Sequence, residues 1–355
     1  MKAPVFSAKF AGASAAQPRH WSEHREQAVG YWQVRLLLIL FRLLPVYVLR
    51  LLAFPVGFFY YVFSKKGRDE SRRYLKKAAV VKTGDKKPPQ STLRHILAFS
   101  FTMVEKVESW GGKFFLDRVH FHDDDIRDLR DRLERGEGAF LICSHLGNAE
   151  LLRALASFNR TGVSREIPVT SVVEGSVTAH FNRMLRELNP QSAVHTIDVQ
   201  DFGPDTAVLL QDRLAAGELV VIAGDRTSIN TRDKYFLFPF LGENAPFAYG
   251  PFFLAALLKA PVYFVFALRR RDLSLKPEYD MLVRKSTVSF DCPRKERGDR
   301  IRELARSFAA SLEEYCKQYP YQWYNFYDFW AKPEGRCRYL AGHGIPNKFC
   351  VGGIL

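Results

Sequence analysis

The five cysteines of this 355-residue chain, Cys143, Cys292, Cys316, Cys337 and Cys350, form neither a CxxC pair nor a Cys/His cluster. That spacing excludes a zinc ribbon and argues against a disulfide framework. The five read as reduced thiols, with Cys143 inside a buried strand. A phosphate-cradling GxxxxGK[ST], a GxGxxG turn and a GxSxG serine elbow are also missing. The usual signatures of a P-loop enzyme, a dinucleotide fold and an acyl-serine enzyme therefore go unfilled. There is no low-complexity linker and no internal repeat. No stretch offers the ~20 uninterrupted apolar residues of a simple membrane crossing. Residues 1–20 lack the apolar core of a secretory signal and read as a flexible tail.

What is present is apolar and basic. Hydrophobic residues make up 47% of the chain and the formal net charge is +14, enough for a sizeable core and a call for an anionic partner. From Tyr31 to Phe63 the chain is almost wholly apolar and aromatic, broken only by Arg35, Arg42 and Arg50. At about 100° per residue these arginines share an arc of ~80° on one helix face. Pro45 and Pro55 predict two or three helical pieces lying in the membrane interface, with the arginines snorkelling to headgroups. Ten cations between Lys65 and Lys87 follow directly, a pattern favouring anionic lipid on the cytoplasmic side. Two buried core helices are the alternative for 31–63. Nucleic acid is disfavoured, because the cations adjoin an apolar belt and no nucleic-acid motif.

The remainder alternates strand-like and helix-like runs. Strands are expected at Ala139–Ser144, Pro168–Val173, Ala193–Ile197, Leu219–Ala223 and Pro261–Ala267. Helices are expected at Asp124–Arg135, Ala149–Phe158, Val177–Leu188, Pro204–Ala216 and Tyr249–Lys259, with another around Thr92–Trp110. Such alternation predicts an α/β fold, a mixed and largely parallel sheet flanked by helices. The domain plan is a tail over 1–20, a membrane-associated helical and basic region over 21–90, a catalytic domain over 91–332 and a second tail over 333–355. Ligands of such sheets bind beyond the carboxyl ends of the strands, which directs attention to His145 after one strand and to Gly224-Asp225-Arg226 after another.

In GEGAFLICSHLGNAELLRAL a buried strand runs into His145, Gly147 permits a tight turn, and Asn148 is placed to cap the helix that follows. Five positions apart on one helix, His145 and Glu150 would point ~140° away from each other. With the histidine in the turn and the glutamate in the first helical turn they can meet. A carboxylate holding one imidazole nitrogen leaves the other free to take a proton from a hydroxyl or amine. His120 and Asp125 share this spacing, but in a charged stretch without a glycine turn. A purely structural His145 is the alternative.

SHLGNAE resembles the His-x4-Asp/Glu block of the lysophospholipid acyltransferase superfamily, in its late lipid A acyltransferase branch. The resemblance continues in order through GELVVIAGDRTS, FPFLGENAPFAYGPFFLAALLKAPVYFVF and YPYQWYNFYDFW, covering roughly Trp21 to Lys332. The opening WSEHRE is similar to a subgroup of predicted acyltransferases that accompany aryl polyene or polyketide-type lipid pathways. The resemblance implies that His145 is the general base, Glu150 its charge partner, and Asp225 an aspartate that helps shape the active site. Arg226 departs from the lipid A branch and would bind a phosphate or stabilise an oxyanion; Gly147, Asn148 and Arg183 (or Arg186) are further substrate-binding candidates. The implied reaction passes an acyl group from acyl carrier protein (ACP) or coenzyme A to a lipid-like acceptor. It is direct, without metal or cofactor, at the cytoplasmic face of the bacterial inner membrane. A non-catalytic membrane adaptor that binds acidic lipid or carrier protein is the rival reading.

Overall fold

Short apolar runs and amphipathic helices assemble around one sheet in the computed structural model, which describes residue 36 and residues 39–41, 43–80, 91–111, 116–122, 124–157, 162–173, 194–226 and 234–331. The expected tails, the Val177–Leu188 helix and the cations Arg35 and Arg42 lie outside the described residues. After helical residues at 36, 39–41 and 43 come α1 (Val46–Phe63), α2 (Lys65–Val80) and α3 (Thr92–Trp110), then β1 (Val119–Phe121) and α4 (Asp124–Glu134). The chain continues through β2 (Ala139–Cys143), α5 (Glu150–Ser157), β3 (Val169–Val173), β4 (Val194–Asp198), α6 (Pro204–Ala215) and β5 (Leu219–Ala223). A hairpin, β6 (Tyr235–Phe240) and β7 (Glu243–Ala248), leads into α7 (Gly250–Leu258), β8 (Val262–Arg269), β9 (Tyr279–Lys285) and α8 (Arg297–Gln318).

The main sheet has the order β1-β9-β8-β2-β5-β3-β4. β8, β2, β5, β3 and β4 are mutually parallel, and β9 turns back antiparallel on β8 with β1 parallel to it. The fold is the expected mixed α/β one. Period two in the strands divides the core: Phe140 and Ile142 of β2 face one layer, Ala139 and Leu141 the other. The first layer is closed by α2, α6, α7, α8 and the hairpin, the second by α4 and α5. The five expected strands appear within two residues of their expected ends. β1, β9, the hairpin and α8 were not anticipated.

α1 bears out one break and corrects two details. The stretch does break at Pro45, with helical residues at 36, 39–41 and 43 before it, but α1 runs unbroken through Pro55, with Pro45 at its N-cap. Proline removes a single intrahelical bond, and α1 is supported along its length by antiparallel packing on α3, with Arg50 meeting Glu108 near one end and Gly57 meeting Leu97 and Ser100 further along. Arg50 does not snorkel. It is buried, its guanidinium pairs with the Glu108 carboxylate and donates to the Leu275 carbonyl at 2.6 Å. A desolvated guanidinium needs such partners more than it needs water. The rest of α1 exposes Tyr47, Leu51, Phe54, Val56, Phe59 and Phe63.

Candidate active site

β2 and β5 are neighbours whose register pairs Cys143 with Ala223. Continuing the ladder, the Gly224 N–H donates to the Cys143 carbonyl at 2.9 Å. Two residues past each strand stand His145 and Asp225, so equal offsets in two parallel strands bring them side by side. Asp225 Oδ1 accepts from His145 Nδ1 at 2.8 Å, and Oδ2 accepts the His145 backbone N–H at 2.8 Å. The Trp323 indole N–H completes the set on Oδ2 at 3.1 Å.

This arrangement corrects the expectation for Glu150. The carboxylate hydrogen-bonded to the imidazole is Asp225, and Glu150, first residue of α5, accepts the Trp110 indole N–H at 3.2 Å. The pairing logic in the sequence was local, whereas sheet register is a stronger constraint on direction. Because a carboxylate only accepts, Nδ1 carries the proton and Nε2 keeps its lone pair. The His145 side chain is 31% accessible while that of Asp225 is fully enclosed. Burial of much of the ring lowers the His145 pKa, with Arg226 and Lys106 acting the same way and Asp225 opposing them. Burial alone would raise Asp225, but the His145 charge and hydrogen bonds and the Arg226 charge hold it below the usual carboxylate range. Near neutral pH the pair is a neutral imidazole on an ionised carboxylate, which is the state a general base needs.

The turn after His145 is fixed by the C-terminal aromatic segment. The Gly147 N–H donates to the Gln322 carbonyl at 2.8 Å and the Tyr324 N–H to the His145 carbonyl at 3.2 Å. Gly147 has φ +75°, and a Cβ there would collide with the Ala267 carbonyl oxygen, so glycine is required. Asn148 donates its backbone N–H to Ala267 at 2.8 Å and accepts from Leu151 through its carbonyl at 3.1 Å. The expected side-chain cap is absent: both polar atoms of its buried amide lack a hydrogen-bond partner among the described residues.

Arg226 lies close enough to act on both His145 and Asp225 and stacks its guanidinium over Tyr327, 5.8 Å from the ring centre. Arg183 and Arg186 lie outside the described residues. Trp323 is buried beneath Asp225. Sequence reasoning missed Gln322, Lys106 and His95. His95 Nε2 donates to the Trp323 carbonyl at 3.0 Å and Nδ1 accepts from Ser71 at 2.9 Å. No local spacing connects these positions. Phe236, Phe238, Phe240 and Phe247 pack on one another and on α8 in the core. Arg269, at the end of β8, is buried against Glu105 at 2.8 Å.

Residues 18–332 match the family model for bacterial lipid A biosynthesis acyltransferase. The chain belongs to this family. A comparison with curated proteins gave no match. Membership in the lipid A acyltransferase family supports acyltransferase activity, and the family is typically membrane-associated. Among the described residues α1 is long and apolar enough to cross a membrane.

Proposed function

We propose that the chain moves a fatty acyl group from an ACP or coenzyme A thioester to a hydroxyl, or an amine, of a membrane lipid or glycolipid. The observation that carries this reading is His145, held through Nδ1 by Asp225 with Nε2 open to a partly accessible surface. In the proposed step Nε2 takes the acceptor proton as the acceptor oxygen bonds to the thioester carbon. The oxyanion then collapses, the carbon–sulfur bond breaks, and the proton passes from His145 to the departing thiolate. The positive charge of Arg226 favours the oxyanion or a donor phosphate. The unpartnered Asn148 amide, three residues from His145, is a further donor for substrate. Glu150, fixed by Trp110 at the start of α5, and Gly147 complete the proposed site, with Arg183 a substrate-binding candidate by resemblance alone. No metal or cofactor enters this scheme.

Both donor types are soluble thioesters of the cytoplasm, so the proposal places the site at the cytoplasmic face of the inner membrane. The WSEHRE opening supports the aryl polyene-type subgroup as part of the same reading. The test is acyl transfer by membranes containing the protein, with labelled acyl-ACP or acyl-CoA and lipid from the native host, comparing wild type with His145→Ala. A labelled lipid that disappears in the variant is expected. With the wild type, the acid limb of kcat/KM should fall below the ordinary histidine value of ~6.5, because the base works when neutral and its pKa is lowered. If neither donor gives a His145-dependent product, the adaptor reading replaces this one.

A further inference from the structure

The β8–β9 connection, residues 270–278, exposes two leucines on a hairpin that is rigidly held. Leu273 is 38% and Leu275 48% accessible. Loop mobility does not account for that exposure: buried Arg269 donates to the carbonyls of Asp272 and Ser274, and Gln322 donates its side-chain amide to Asp272 at 3.1 Å. The Ser274 hydroxyl donates to the Lys276 carbonyl at 2.8 Å and accepts the Lys276 N–H at 3.1 Å. Two exposed cations flank the leucines, Arg271 and Lys276, and neither meets an acidic partner among the described residues. Arg94, Arg270, Arg271, Asp272, Leu273 and Ser274 line an open cleft of about 430 Å³, in which Arg94 pairs with Asp272 at 2.8 Å and Arg270 with Glu278 and Asp280 at 3.5 Å.

The position of the loop indicates its partner. Arg50 of α1 reaches the Leu275 carbonyl, so the loop lies beside the turn of α1 that exposes Tyr47 and Leu51. Leucines continuous with an apolar helix and bordered by unneutralised cations match the chemistry of an anionic bilayer surface, with acyl chains next to phosphates. We propose that this loop is a second membrane-contact element: Leu273 and Leu275 enter the acyl boundary while Arg271 and Lys276 meet anionic phospholipid headgroups. The proposal rests on the reading of α1 as membrane-associated. It also has a consequence for the site. Gln322 holds both the loop, through Arg269 and Asp272, and the His145 turn, through Gly147. A loop seated on lipid therefore sets the angle at which the His145 turn meets the bilayer. An acidic carrier protein fits the cations but gives the two leucines no role.

The experiment uses the full-length protein and flotation with vesicles of phosphatidylcholine, alone or with phosphatidylglycerol. Wild type is compared with Leu273→Ser/Leu275→Ser, Arg271→Gln/Lys276→Gln, and Phe59→Ser/Phe63→Ser in α1. Thermal unfolding verifies that each variant is folded. The leucine pair should weaken binding to both vesicle types about tenfold, a loss expected for two partly buried apolar side chains. The cation pair should weaken binding only to anionic vesicles, with a smaller salt dependence. In Leu275→Trp, the added fluorescence should be quenched by lipids brominated near the headgroup end of the chain. Normal vesicle binding by both loop variants, with binding lost in the α1 variant, overturns the loop while leaving α1 standing. Normal binding by all three overturns both the loop and α1 as the membrane contacts, and no binding by wild type to either vesicle overturns the membrane reading itself. Loss of ACP binding by the cation pair without loss of vesicle binding reassigns the loop to the carrier.

Discussion

Three N–H groups converge on the Asp225 carboxylate, one from an imidazole, one from a backbone amide and one from an indole. Such a carboxylate decides which nitrogen of His145 is protonated. Asparagine in its place must still accept from the His145 amide and Trp323, and so presents its NH2 group to Nδ1. The histidine then carries its proton on Nε2 and cannot accept another there. Asp225→Asn is therefore expected to lower kcat by about 10²–10⁴ with the fold intact. Glu150→Gln should cost far less at the base itself, because its carboxylate serves Trp110. Steady-state rates of the two variants decide the matter; a severe Glu150→Gln with a mild Asp225→Asn would overturn the pairing. His145 and its glycine turn were legible in sequence from strand, turn and helix signals. The identity of its hydrogen-bonded carboxylate was not, because the local candidate and the cross-strand one are both acidic.

At the scale of elements, α1 is the instructive case. Its composition gave a membrane-facing helix with a polar arc, and its packing makes part of that arc internal. Arg50 and Glu108 are both buried, and Arg118 reaches Glu108 as well at 3.4 Å. Removing one member of a buried pair costs about 3–5 kcal/mol because the other is left without its counter-charge. Arg50→Met should fall near the lower end, since Arg118 remains. Arg50→Met/Glu108→Gln should recover part of the loss. Denaturant midpoints of the three proteins measure this. If Arg50→Met is as stable as wild type and instead loses vesicle binding, the side chain is a headgroup contact after all. Whether an arginine in an apolar helix meets lipid or a glutamate depends on the facing helix, and nothing within residues 46–63 names it.

The whole molecule is tied through the C-terminal segment 321–325, which threads between the helical N-terminal part and the sheet. His95 is the central tie: it sits in α3, accepts from Ser71 of α2 and donates to the carbonyl of Trp323, whose indole supports Asp225. Burial lowers its pKa to about 4. A histidine held neutral in the fold and free to charge when unfolded contributes stability above its unfolded pKa of ~6.5. That contribution is lost as pH falls toward 4, by about 3 kcal/mol in all. Compared with His95→Gln, wild type should thus hold its largest advantage in thermal midpoint at pH 7.5 and lose most of it by pH 4.5. An advantage unchanged across that window would mean that His95 is not kept neutral by burial.

Sequence by itself determined the strands that carry the site, the strand-end position of His145, the glycine after it and the apolar character of α1. Each is written in a window of a dozen residues, through period-two or 3.6 alternation and through the backbone freedom of glycine. Tertiary structure alone decided that Asp225, 80 residues along the chain, reaches Nδ1 of His145. It also decided that Trp323 lies beneath that carboxylate, that Arg50 turns inward, and that the 270–278 loop stands beside α1. These depend on sheet order and helix docking. Two strands adjacent in the sheet, β2 and β5, are separated in the chain by two further strands and their helices, and no local pattern records which neighbours they choose.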